Sequence, residues 1–439
     1  MNHKKEIILI VIIMIILLPI IFVPIAIDYS HLVNNSTIIG KESGTYFDFI
    51  ELATPFYYFI AFILSNSFGT NEILIGVLNY ILQLIIVFSI IFILYKITDL
   101  KLIGYICAIL YALIYTLNWR LNFHLDSLIT LLLVWICYFY CRYNKLLVLA
   151  FLGLVIGFIT ALKYPFVLLI IPFLIDILLD KDKKITLRLV RCCIIIIFLI
   201  LTLLIIYVPL LYSYIYEEFP KLIKDHFYYM GFPVFNIDDI KVLLKNSAFY
   251  LGWDISLLVI LLSTIGFFVL LAKNHTAKFF DLLAMLFIIT IISLIFEKQL
   301  FEYHIQHFYL FFSIFSAIGL YYSLNKLKGN FKSYSPISKM ILIFLIIFAL
   351  ILSPILRWFS VLPAPVLYIF DKNKYYEMYI KQEVSNRFNF DIFKKNYSVN
   401  KNYIFDLLLP FSLTDSVSIK NISLLNNERF YINIAEIIE

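Results

Sequence analysis

Ionisable side chains gather where apolar runs meet one surface: Asp28, Asp126, Lys163 and the pair His304 and His307. Asp28 follows at once on the apolar run 6–27, at a boundary where the dielectric falls and a lipid headgroup arrives. No helix begins there to be capped and no cation adjoins it; its plain alternative is the solvated end of a helix. Asp126 opens NFHLDSLITLLL, where it equally serves as an N-cap to free backbone N–H groups. Lys163, in the turn of GFITALKYPF, is a cation for an anionic group or a side chain snorkelling to the interface. His304 and His307 are three apart and share a helix face. With Glu302 they suit a divalent metal, a phosphate contact or simple interfacial packing.

These groups need a scaffold, and composition says which kind. The chain of 439 residues is 63% hydrophobic and 15% charged, with mean hydropathy +0.95. Soluble domains carry about 25% charge, so this reads as an all-α polytopic membrane protein. Apolar runs fall at 6–27, 73–95, 102–118, 127–141, 146–162, 164–180, 191–212, 255–272, 279–296, 304–323 and 339–357, which is about eleven spans. The runs 146–162 and 164–180 are close enough to form a tight hairpin. The first run is long for a signal segment and lacks a small-residue cleavage site, so it is expected to be retained.

Charge orients the spans. With a cytoplasmic N-terminus, the internal segments carry seventeen Lys and Arg residues, among them Lys101, Arg142, Lys183, Arg191 and Lys278. The short external connections carry Lys41, Arg120, Lys163 and Lys298 alone, a strong positive-inside bias. An odd span count then puts the C-terminus outside. Trp119, Trp253 and Trp358 fall at outer boundaries, as an aromatic belt requires. Residues 1–357 form a transmembrane module with external loops 28–71 and 213–254, and 358–439 form an external segment. Within the first loop ATPFYYFIAFIL is too short to cross and is expected to lie on the membrane as an interfacial helix. The tail is expected to be a small, partly β appendage. No run repeats in the manner that suggests alternating access.

The five cysteines all lie in or beside apolar runs, so no external disulfide framework is expected. Cys192 and Cys193 read as small packing residues. Phosphate-binding loops, dinucleotide fingerprints, HExxH and GxSxG are all missing, which speaks against nucleotide-driven transport. Nothing points to nucleic acid.

In order and sidedness these residues resemble the GT-C superfamily of membrane glycosyltransferases, nearest the protein-O-mannosyltransferase and aminoarabinose-transferase-like group. The resemblance covers about residues 6–323. It is carried by Asp28 after the first span, then Gly44, Tyr46, Asp48 and Pro55-Phe56-Tyr57-Tyr58. Asp126 before a later span, GFITALKYP with its Lys163, and His307-Phe308 at a late span complete it. Many members carry Asp-Glu after the first span; here Tyr29 takes the second place, leaving Asp28 as the one acid there.

The resemblance implies a GT-C-like arrangement of spans, a polyprenyl-phosphate-linked sugar as donor, and a protein, lipid or glycan acceptor at the outer face of the cell membrane. Asp28 would activate the acceptor hydroxyl, with Asp126 as second catalytic candidate. Tyr46, Asp48, Arg120, Lys163, His304 and His307 would bind substrate, the cations facing the lipid phosphate. One base opposite the leaving phosphate implies inversion at the anomeric carbon. No metal ligand set is assigned, although a divalent ion remains compatible. Two other readings stand: a flippase for lipid-linked glycans, which needs ionisable groups at mid-membrane depth, for which Asp176 and Gln83 are the modest candidates, and a noncatalytic subunit, for which Asp28 is dispensable.

Overall fold

The computed structural model describes residues 3–22, 72–117, 126–143, 145–214, 257–272, 278–295, 306–330 and 363–371, with Phe56, Ile60 and Lys374. Among them every regular element is helical. Apolar backbone in lipid must satisfy its own N–H and C=O groups, and a helix does so within one segment. The helices are α1 (His3–Leu17), α2 (Glu72–Thr98), α3 (Lys101–Leu117), α4 (Asp126–Arg142), α5 (Leu146–Leu162), α6 (Ile171–Leu179), α7 (Ile185–Tyr214), α8 (Leu257–Ala272), α9 (Lys278–Ile295), α10 (Gln306–Asn330) and α11 (Pro363–Phe370). Tight 3-10 turns extend α1 over Leu18–Phe22 and precede α6 over Tyr164–Ile170.

Among the described residues four segments are long and apolar enough to cross a membrane: His3–Phe22, Gly76–Thr98, Ile185–Val208 and Phe308–Asn325. Several others are shorter; the 17 residues of α5 reach about 25 Å at 1.5 Å per residue. The protein is therefore a helical membrane protein, and ten of the eleven apolar runs coincide with described helices. The run 339–357, most of the loops 28–71 and 213–254, the three boundary tryptophans and, Lys374 apart, the tail beyond 371 lie outside the described residues. The expected β appendage lies there too; α11, inside the tail, is helical and packs on the turn Leu18–Phe22. Of the expected interfacial helix, Phe56 is buried with its ring edge-on to Phe158 at 5.2 Å.

Side-chain contacts fix which helix ends lie together. The Glu6 carboxylate accepts from Lys101 at 2.8 Å, joining the starts of α1 and α3. Trp135 donates to the Ser89 hydroxyl at 2.9 Å, so α2 and α4 run the same way and finish at the same level. Asp176 near the end of α6 meets Tyr140 of α4 and Lys278 of α9. These ends share Lys96, Lys101, Arg142, Lys183, Arg191 and Lys278 and make one basic end of the bundle. At the opposite end Tyr207 of α7 donates to the Ala161 carbonyl of α5 at 3.0 Å.

Glycines let helices touch backbone to backbone. A Cβ on Gly153 would stand 2.4 Å from the Ile195 carbonyl oxygen, and one on Gly157 would stand 2.7 Å from Thr202 Cβ. The GxxxG spacing of α5 thus seats α7. Gly266 and Gly319 do the same for α8 and α10, where a Cβ on Gly266 would fall 1.9 Å from the Phe315 carbonyl oxygen. Ile197, Leu204 and Ile205 of α7 are exposed, as a lipid-facing surface requires.

Candidate functional site

Among the sequence candidates, Asp28, Tyr46, Asp48, Arg120 and His304 lie outside the described residues. Asp126 is the first residue of α4 and His307 the second of α10. Lys163 is fully described. It ends α5 and starts the following 3-10 turn with extended backbone, φ −153° and ψ 104°. Its N–H donates to the Ile159 carbonyl at 2.9 Å, and its own carbonyl accepts from Phe166 at 3.1 Å. Pro165 fixes the first turn after it. The ammonium does not reach out to water as a snorkelling lysine would: Nζ is buried, 5.5 Å from the Phe166 ring centroid. This break in the helical backbone holds a charge inside the bundle, at the end opposite the basic one.

Beneath Asp126 lies a closed ring of hydrogen bonds. Gln83 Nε2 donates to Asn79 Oδ1 at 3.1 Å and to Ser127 Oγ at 3.0 Å. Ser127 donates to the Tyr115 hydroxyl at 3.4 Å, and Tyr115 donates to Asn79 Oδ1 at 3.0 Å. Tyr111 adds a bond to Gln83 Oε1 at 2.9 Å. All five side chains are buried. Each hydroxyl gives its one proton once, and the Gln83 amide gives both of its own. The ring ties α2, α3 and α4 together one residue below Asp126, and so holds the N-terminus of α4 in place. It carries no charge, and it sits about 16 Å along α2 from Glu72.

At the basic end a cavity of about 660 Å³ lies among α4, α6, α7 and α9. Asp176 Oδ2 takes the Tyr140 hydroxyl at 2.5 Å and Lys278 Nζ at 2.6 Å, and that ammonium also lies 4.8 Å from the Tyr140 ring centroid. Asp176 therefore belongs to a helix end and not to the membrane middle. Lys183 pairs with Asp180 in the turn after α6, and this bond holds the Asp180 carboxyl below its ordinary range.

Among the described residues no group of three or more His, Cys, Asp or Glu side chains is set to hold a metal. The set of Glu302, His304 and His307 lies largely outside those residues. Sequence reading passed over the polar ring and the glycine seat. Their signals were present as Asn79 and Gln83 four apart, Tyr111 and Tyr115 four apart, and Gly153 and Gly157 four apart, each pair on one helix face. All five cysteines are free thiols. No protein-family model matches this chain, and no curated protein sequence matches it.

Proposed function

We propose that the chain transfers a glycosyl group from a polyprenyl-phosphate-linked sugar to an acceptor at the surface opposite its basic end, with that basic end cytoplasmic. The observation that carries this reading is Lys163: a buried ammonium at a break between helices, at the end of the bundle opposite the basic one. A leaving phosphate develops negative charge, and a fixed cation in a water-poor site stabilises it. In the step itself the acceptor oxygen attacks the anomeric carbon. The bond from that carbon to the phosphate oxygen breaks, and the polyprenyl phosphate leaves with the electron pair. The acceptor proton passes to a carboxylate, assigned here to Asp28, with Asp126 as the second candidate. The sugar inverts, and the GT-C-like order of motifs agrees with this chemistry. A flippase would want charge at mid-depth, whereas Asp176, its charged candidate, belongs to a helix end.

Lys163→Ala tests the reading. Purified protein given a polyprenyl-phosphate sugar should show a raised KM for the donor, and Lys163→Arg should recover part of it by restoring a cation. Donor affinity unchanged in Lys163→Ala rejects the role.

A further inference from the structure

Arg191, on the second turn of α7, is 8% exposed, lines the cavity at the basic end, and has a buried Nε with no hydrogen-bond acceptor. A guanidinium keeps its proton in any protein environment, so its charge must be met in place. The cavity's own acids do not meet it. Asp176 is occupied by Tyr140 and Lys278, and Asp180 is occupied by Lys183. Asp182 is exposed and forms no ion pair with Arg191 among the described residues. A buried cation without a counter-charge is costly, and the space beside it holds roughly twenty waters' volume at about 30 Å³ each.

We propose that this cavity binds a phosphate group, with the Arg191 guanidinium as its principal donor. The planar fork of an arginine matches two phosphate oxygens at once, which a lysine does not. The chemistry admits two sources, an anionic phospholipid headgroup or a soluble phosphate. The lipid source has geometric support: Leu179, 68% exposed, lines the same cavity, and Leu189 and Val190 beside Arg191 face outward. An acyl chain has an apolar surface to follow from the cavity mouth. Basic pockets between helices at a cytoplasmic surface hold lipid headgroups in this manner.

The test uses the full chain in detergent with three probes: dioctanoyl phosphatidylglycerol, inorganic phosphate, and dioctanoylglycerol, which lacks phosphate. Binding is read by native mass spectrometry and by the shift in thermal unfolding. Wild-type protein should retain phosphatidylglycerol over dioctanoylglycerol. Arg191→Met should lose about tenfold or more in affinity, the worth of one charge-assisted pair. Lys181→Gln, at an exposed lysine that does not line the cavity, should leave binding unchanged. Displacement of the lipid by inorganic phosphate assigns a soluble phosphate, and failure to displace it assigns the headgroup. If Arg191→Met does not fold, Arg191→Lys keeps the charge and loses the fork, and should still bind more weakly. Equal retention of lipid with and without phosphate overturns the proposal, as does affinity unchanged in both Arg191 variants.

Discussion

Replacing Gln83 by leucine should destabilise the bundle by more than its hydrogen bonds alone are worth. Gln83 takes part in three bonds, to Asn79, Ser127 and Tyr111. Bonds between membrane helices average about 0.6 kcal/mol, so the two that leave α2, to Ser127 and Tyr111, account for roughly 1 kcal/mol. The larger effect comes from what is left behind. Tyr111, 2% exposed, would keep a hydroxyl with no acceptor, at a cost of about 1–3 kcal/mol. The expected total is about 2–4 kcal/mol. Leucine is close in size, so cavity formation adds little. Tyr111→Phe removes one bond and should cost about 0.6 kcal/mol. The pair is decisive together: Tyr111→Phe on the Gln83→Leu background removes the orphaned hydroxyl and should recover that part of the loss, leaving the double variant more stable than Gln83→Leu alone. The assay is reversible unfolding of the four proteins in mixed micelles by SDS titration. Strict additivity of the two changes, or a Gln83→Leu variant as stable as wild type, refutes the closed ring.

Gly157→Leu should push α5 off α7, because even a Cβ there meets Thr202 Cβ at 2.7 Å. The expected loss is about 1–3 kcal/mol, read as a lowered unfolding temperature in detergent, and Leu147→Ala at an exposed position of α5 should leave it nearly untouched. Asp180→Asn should lower stability slightly at neutral pH and not at all in acid. Lys183 holds the folded Asp180 carboxyl below its ordinary 3.8, so this contribution is present above that value and vanishes as pH falls through the still lower folded one. Unfolding temperatures of the variant and wild type should differ at about pH 7 and converge as the pH falls through the lowered folded value; a gap independent of pH contradicts the pairing.

The spans were legible because lipid imposes one rule on every segment. The runs 102–118, 127–141 and 146–162 match Lys101–Leu117, Asp126–Arg142 and Leu146–Leu162 within a residue. Where they differ, charge is the reason. Hydropathy starts the seventh run at 191, whereas α7 starts at Ile185, since Arg188 interrupts the apolar pattern without breaking the helix. The polar ring was not legible, because Asn79, Gln83 and Ser127 each look like a tolerated interruption until the three helices are side by side. The cavity was hidden differently. Arg191, Lys183 and Lys278 entered the charge count that orients the chain, and that count does not say which cations are paired. Of the proposed catalytic end, the turn at Lys163 was read from GFITALKYPF, and its burial required the packed structure.

The most direct test of the account is transfer of sugar from a polyprenyl-phosphate donor by purified wild-type protein and by Asp28→Asn. The substitution keeps the shape of the side chain and removes the base. The account predicts transfer by the wild type, with an inverted anomeric centre in the product, and a fall of about 10²–10⁴-fold in Asp28→Asn. Wild-type turnover in that variant, with the protein still folded, would contradict it.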